Sequence, residues 1–164
     1  PDTWYYVDPA WGSGYADAEM KVFTRSFTDA YFFTDKPIFN LQHYPDNEAW
    51  KLGGAPKNKK EFYSLPVIKV AGPELGMKRF SPNDGHFKAR VNKEVNFNYS
   101  VNGKEITKIE LAMGERKKYK VKEIKYNYSG GVLSFSYKFD EDGAYPITVI
   151  VNGRELISYF VEID

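Results

Sequence analysis

Few side chains in this chain could do chemistry, and Asp8 is the best placed of them. It closes the run Trp4-Tyr5-Tyr6-Val7-Asp8 and precedes Pro9. A carboxylate held at a strand end could orient a neighbouring catalytic side chain. An aspartate before proline is also the ordinary cap of a turn. Trp11 could line a substrate cleft beside Asp8, although a tryptophan in such a position, like Trp4, is more often core. The two histidines, His43 and His86, read as structural or surface residues, His86 within the turn that follows Ser81. Asp140, Glu141 and Asp142 are oxygen ligands of the type calcium takes, but they lack the alternating spacing of a calcium loop and read as a solvated turn. Two histidines and no cysteine argue against zinc. Lys117, Lys118, Lys120, Lys122 and Lys125 could hold an acidic polymer; lysines defending an edge strand explain them more simply. No cofactor is expected.

The elements that must position Asp8 follow from the local pattern. Trp4 to Val7 are strand-forming types in succession, which predicts a strand covered on both faces. Pro9 stops it, and Gly12 and Gly14 permit a sharp turn under Trp11. Residues 15–22 read as a loop, and 22–27 and 30–34 as short extended segments. Asp35-Lys36-Pro37 signals a helix start. Trp50-Lys51-Leu52 is expected to pack back on this part. Asn58 and Glu61 resemble a capping box for a helix over 59–64, ended by Pro66. Gly72, Pro73 and Gly76 mark a boundary.

From Phe80 the apolar period becomes two. Val95, Phe97, Tyr99 and Val101 alternate with polar residues, as do Ile109, Leu111 and Met113, then Leu133, Phe135, Tyr137 and Phe139. Tyr145 to Val151 and Ile157 to Ile163 repeat the pattern. Such strands are antiparallel with one wet face. The phase slips between Tyr119 and Tyr128, which predicts a bulge near Lys122-Glu123. Asn152-Gly153 is a strong hairpin signal, and Asn102-Gly103 a similar one. Gly143-Ala144-Tyr145 resembles a tyrosine corner. The expected fold class is mainly β with minor α: a partial α+β segment over 1–70, a linker over 71–79 and an immunoglobulin-like antiparallel β-sandwich over 80–164.

Composition bounds the function. A formal charge of +1 in 164 residues gives no reason to expect nucleic acid. No apolar run approaches the roughly 20 residues of a membrane span. The absence of cysteine excludes disulfides and thiol catalysis within this chain.

Trp4 to Gly14 resembles the segment of transglutaminase-like cysteine proteases that carries the third triad residue. Phe23-Thr-Arg-Ser-Phe27, Tyr31-Phe-Phe-Thr34, His43-Tyr-Pro45 and Trp50-Lys-Leu52 extend the resemblance towards the branch related to kyphoscoliosis peptidase. The resemblance implies a papain-type site in which Asp8 is the triad aspartate. It also implies that the nucleophilic cysteine and basic histidine precede residue 1, and that His43 lies away from the triad. The chain would then be the C-terminal part of a larger cysteine peptidase or acyl-transfer protein acting on a protein or peptide, inactive alone. By analogy with bacterial relatives it would be exported or on the cell surface. The alternative is a non-catalytic module that binds glycan or protein.

Overall fold

The computed structural model describes residues 4–17, 19–51, 53–102, 105–114 and 119–164. In chain order its strands are β1 (Tyr6–Val7), β2 (Gly14–Ala16), β3 (Phe23–Arg25), β4 (Phe32–Thr34), β5 (Val67–Ile68), β6 (Arg79–Ser81), β7 (His86–Ala89), β8 (Glu94–Ser100), β9 (Ile109–Met113), β10 (Lys120–Glu123), β11 (Asn127–Ser129), β12 (Val132–Lys138), β13 (Gly143–Val151) and β14 (Arg154–Ile163). The short helices are α1 (Pro9–Ser13), α2 (Lys36–Phe39), α3 (Lys59–Ser64) and α4 (Ala71–Glu74).

The period-two segments form the two layers of an immunoglobulin-like sandwich. One sheet runs β10-β9-β13-β14, and the other β11-β12-β8-β6. The free side of β14 is shared: β5 pairs antiparallel with Ile157 and Ser158, and β7 pairs in parallel from Phe160 to Ile163. Inward positions match the alternation. Phe97, Tyr99, Leu111, Leu133, Val149 and Val161 are all fully buried. Phe97 stacks on Phe135 at 4.8 Å and meets the Tyr159 ring edge-on. Each such side chain contributes about 1.5–3 kcal/mol of burial free energy, so the sandwich is the stable base on which the first 70 residues sit.

The Asn152-Gly153 hairpin forms as expected. Both residues have positive φ, 50° and 78°, between the paired Val151 and Arg154. Asparagine and glycine suit that type I′ geometry. The Asn152 carboxamide also accepts from the Thr107 and Lys108 N–H groups and donates to the Glu105 carbonyl. The Asn102-Gly103 signal falls partly outside the described residues, since Gly103 is not among them.

The phase slip after Tyr119 has a different cause from a bulge. β10 pairs with β9 in one sheet, while β11 pairs with β12 in the other. Ile124 is buried where the chain crosses between them. Crossing the core reverses which side of the chain faces inward, so the parity changes. β10 is the outer strand of its sheet. Lys120 and Lys122 there lie near Glu141 and Asp140.

The segment over 71–79, expected as a linker, is packed. Ile68, Ala71, Leu75 and Met77 belong to the sandwich core. Gly72 makes this possible, because a Cβ there would sit 2.6 Å from Ile68 Cγ2.

Before α4 the sequence reading needs several corrections. The strand expected from Trp4 to Val7 shrinks to Tyr6–Val7, and Trp4 is 73% exposed. Among the described residues β1 pairs with β4 alone, and that strand is largely exposed; Tyr6 is half-buried against Phe39, while Trp4, Tyr5 and Val7 stay exposed. The turn after Asp8 is the helix α1. Of the expected loop over 15–22, Tyr15 and Ala16 lie in β2, which pairs with β3, and the described residues from Asp17 to Val22 stay outside the strands. Trp50 does not pack back; it is exposed, while Leu52 lies outside the described residues. α2 and α3 fall where the capping signals put them. Asn58 Oδ1 accepts from the Glu61 N–H, and the Glu61 carboxylate reaches back to the Lys57 N–H, one residue earlier than in a capping box.

Candidate functional site around Asp8

Asp8 is fixed from both sides of its carboxylate. Its backbone is extended at the N-cap of α1, and Oδ1 accepts from the Trp11 N–H at 2.9 Å. Pro9 suits the first helical position, because its missing N–H would have had no partner there. The Asp8 N–H donates to the Tyr31 carbonyl, which ties the end of β1 to the 3₁₀ turn Asp29–Tyr31 ahead of β4. Gly12 follows in α1 and is buried against that turn; a Cβ there would meet the Thr28 carbonyl oxygen at 3.4 Å.

The other oxygen meets an imidazole. His43 Nε2 lies 2.8 Å from Asp8 Oδ2, while His43 Nδ1 faces the Phe39 carbonyl at 3.1 Å. The expectation that His43 lies away from Asp8 is therefore corrected. α2 ends at Phe39, and the chain curls so that His43 comes back over it: the His43 backbone N–H also donates to the Phe39 carbonyl. The ring is clamped by aromatics, stacked on Phe39 at 3.8 Å and tilted against Trp11 at 4.9 Å. Tyr6 extends the stack beyond Phe39, and Tyr31 meets Trp11 edge-on at 5.6 Å. Gln42, beside His43, bonds the Tyr31 hydroxyl and the Ile68 carbonyl. The site is thus fastened to β5 and the sandwich edge.

The side chains of Asp8 and His43 are 17% and 24% exposed, so the pair is mostly covered yet open to solvent on one side. Burial raises the Asp8 pKa. The Trp11 N–H, the bond and charge from His43, and the Ala10 N–H outweigh it, and the carboxyl ends below its ordinary value. Burial also holds the Tyr31 phenol above its usual range. Trp11, expected in a cleft wall or in the core, stands at the rim, 46% exposed with its ring on His43.

The other candidates lie away from Asp8. His86 begins β7 and pairs with Glu162 at 2.9 Å on the sandwich surface. Asp140 and Glu141 face lysines, and no metal-holding cluster of His, Asp or Glu occurs among the described residues. No described helix is long and apolar enough to cross a membrane. A surface groove of about 420 Å³ lined by Tyr63, Pro66, His86 and Phe160 contains neither Asp8 nor His43. Sequence reasoning missed the Asp8–His43 contact. The available signal was the histidine four residues after Phe39, at the end of a helix whose start was legible.

No protein-family model matches the chain. It is 30% identical over 112 residues to kyphoscoliosis peptidase of Mus musculus, covering 62% of this chain and 17% of that protein. To the Homo sapiens kyphoscoliosis peptidase it is 35% identical over 86 residues, covering 46% of this chain and 13% of that protein. The chain therefore spans about one sixth or less of these relatives. Among solved structures, the Lin-41 filamin domain aligns with a TM-score of 0.41 at 14% identity, over 62% of this chain and 98% of that one. Titin M4 aligns at 0.27 and 16% identity, over 60% of this chain and 93% of that one.

Proposed function

We propose that Asp8 is the carboxylate of a Cys-His-Asp acyl-transfer site in a longer transglutaminase-like, papain-type cysteine peptidase, with the sandwich as its accessory domain. In this reading residues 1–70 belong to the catalytic module, 71–79 join it to the sandwich, and 80–164 are the sandwich. The longer protein's thiolate attacks an amide carbonyl of a protein or peptide. Its imidazole delivers a proton to the leaving amine as the C–N bond breaks, and water or a second amine then releases the acyl group. Asp8 forms no bond to substrate. It accepts an imidazole N–H and stabilises the cation formed in the transition state.

One observation supports this most directly: an ionised, mostly covered carboxylate stands at an aromatic strand end with acceptor capacity to spare. A carboxylate offers about four lone-pair sites. Trp11 occupies one on Oδ1, His43 one on Oδ2, and the Ala10 N–H also approaches the carboxylate, which leaves at least one open. The likeness to the two peptidases supports the same reading. This chain has no cysteine, so alone it is expected to turn over no amide.

The test is the product of the complete gene, assayed for amide hydrolysis and amine incorporation with and without iodoacetamide. The expected result is thiol-dependent turnover that Asp8→Ala lowers by about 10³–10⁴-fold. An unchanged rate in Asp8→Ala, or a complete gene without cysteine, overturns the proposal.

The exposed Trp4, Tyr5, Phe32, Phe33 and Trp50 favour a second reading, a non-catalytic binding module. These aromatics lie in the first 70 residues. In the described sandwich the exposed large apolar side chains are Tyr119, Val121, Val132 and Phe160. Binding on a peptide or glycan array that Trp4→Ala abolishes, together with a complete gene lacking cysteine, would favour it.

A further inference from the structure

The contact between His43 and Asp8 does more than close a surface pair. Both ring nitrogens of His43 face acceptors: Nδ1 the Phe39 carbonyl at 3.1 Å, and Nε2 the Asp8 carboxylate at 2.8 Å. A neutral imidazole has one donor and would turn a lone pair on one of these oxygens. The charged and nearer acceptor, Asp8, takes the donor, and the Phe39 carbonyl covers the other nitrogen. Stacking on Phe39 and the tilted contact with Trp11 leave the ring little room to turn.

We infer that His43 is a positioning residue: a ring that holds the Asp8 carboxylate in one rotamer by donating to it while being unable to act as the base. This rests on the proposed role of Asp8. A base must present a free nitrogen lone pair to the group it deprotonates. His43 has none, because Nδ1 is spent on backbone and Nε2 on Asp8. The arrangement therefore calls for a second imidazole, and the unused lone pairs of Asp8 are where its N–H would bind. The other titratable groups at the site do not compete for the proton. Tyr6 and Tyr31 have phenol pKa values raised by burial and stay neutral. Glu74 is engaged by Thr28 and Arg154.

The experiment uses the 164-residue chain, whose histidines number only two. Imidazole ¹⁵N spectra are expected to show His43 Nε2 carrying a proton with a hydrogen-bonded shift, and Asp8→Ala to remove that shift. The Asp8 carboxyl ¹³C titration is expected to move to higher pH in His43→Gln, which can still donate, and further in His43→Phe, which keeps the stacking but not the donor or the charge. A His43 Nε2 without a proton in the wild type, or an Asp8 midpoint unchanged in His43→Phe, overturns the inference. Both readouts are independent of turnover. If the complete protein proves inactive, the triad reading fails while the clamp stands; if Asp8→Ala abolishes activity but His43 Nε2 carries no proton, the reverse holds.

Discussion

Removing the Asp8 carboxylate takes away two interactions whose sizes can be set from their geometry. Oδ1 caps α1 through the Trp11 N–H, and Oδ2 meets His43, with both side chains more than three quarters covered. An N-cap aspartate is worth about 1 kcal/mol. A charge-assisted bond of this kind reaches about 1.5–3 kcal/mol when enclosed, and about 1 kcal/mol after allowance for solvent on its open side. Asp8→Ala should therefore cost about 2 kcal/mol. In a chain of this size that lowers Tm by roughly 4–8 °C. His43→Ala loses the bond and the stacking but keeps the cap. A double-mutant cycle read by urea unfolding at pH 6 should give a coupling of about 1 kcal/mol between them. The folded Asp8 pKa lies below that of an unfolded aspartate. Its contribution is therefore complete above about pH 4 and disappears as the pH falls through the lower folded value. Additivity of the two single substitutions within about 0.3 kcal/mol would refute the pairing, as would a Tm difference that persists unchanged at pH 2.

Other outcomes follow from the same structure. Phe97→Ala, at a fully buried position stacked on Phe135, should cost about 3–5 kcal/mol in chemical unfolding. Gly85→Ala should destabilise the joint between α3 and β14, because a Cβ would lie 2.4 Å from the Leu65 carbonyl oxygen while the Gly85 N–H and carbonyl serve Ser64 and Phe160; hydrogen exchange at Phe160 reports it. Asn152→Ala strands the Thr107 and Lys108 N–H groups and the positive-φ turn, at a cost of about 1–3 kcal/mol by thermal unfolding. Tyr99 and Tyr159 have pKa values raised by burial, so the unfolded chain releases their protons first. Stability should fall as the pH rises above about 10, and the absorbance of these phenolates should appear only with unfolding.

The sandwich was legible in the sequence because its physics is local. Alternation at Phe97, Leu111, Leu133 and Val149 needs only one wet face and one dry face, and each strand states that for itself. The Asn152-Gly153 turn and the start of α3 were equally local, since backbone conformation and capping involve residues a few positions apart. What lay beyond the sequence were relations between distant segments. The parity change at Ile124 looked like a bulge because periodicity cannot say that a chain has changed sheets. The exposure of Trp4 could not be read from strand-forming types, which promise burial only where another layer exists to supply it.

The order of residues alone puts Asp8 at the close of an aromatic run and leaves the chain without a thiol. What the carboxylate touches is set by how the chain folds. Its partner sits 35 positions away, delivered by the curl of the chain after α2, by stacking on Phe39 and by the tilted contact with Trp11. Hydrogen bonds act over about 3 Å whatever the separation along the chain, so the pairing of Asp8 with His43 is a property of the fold.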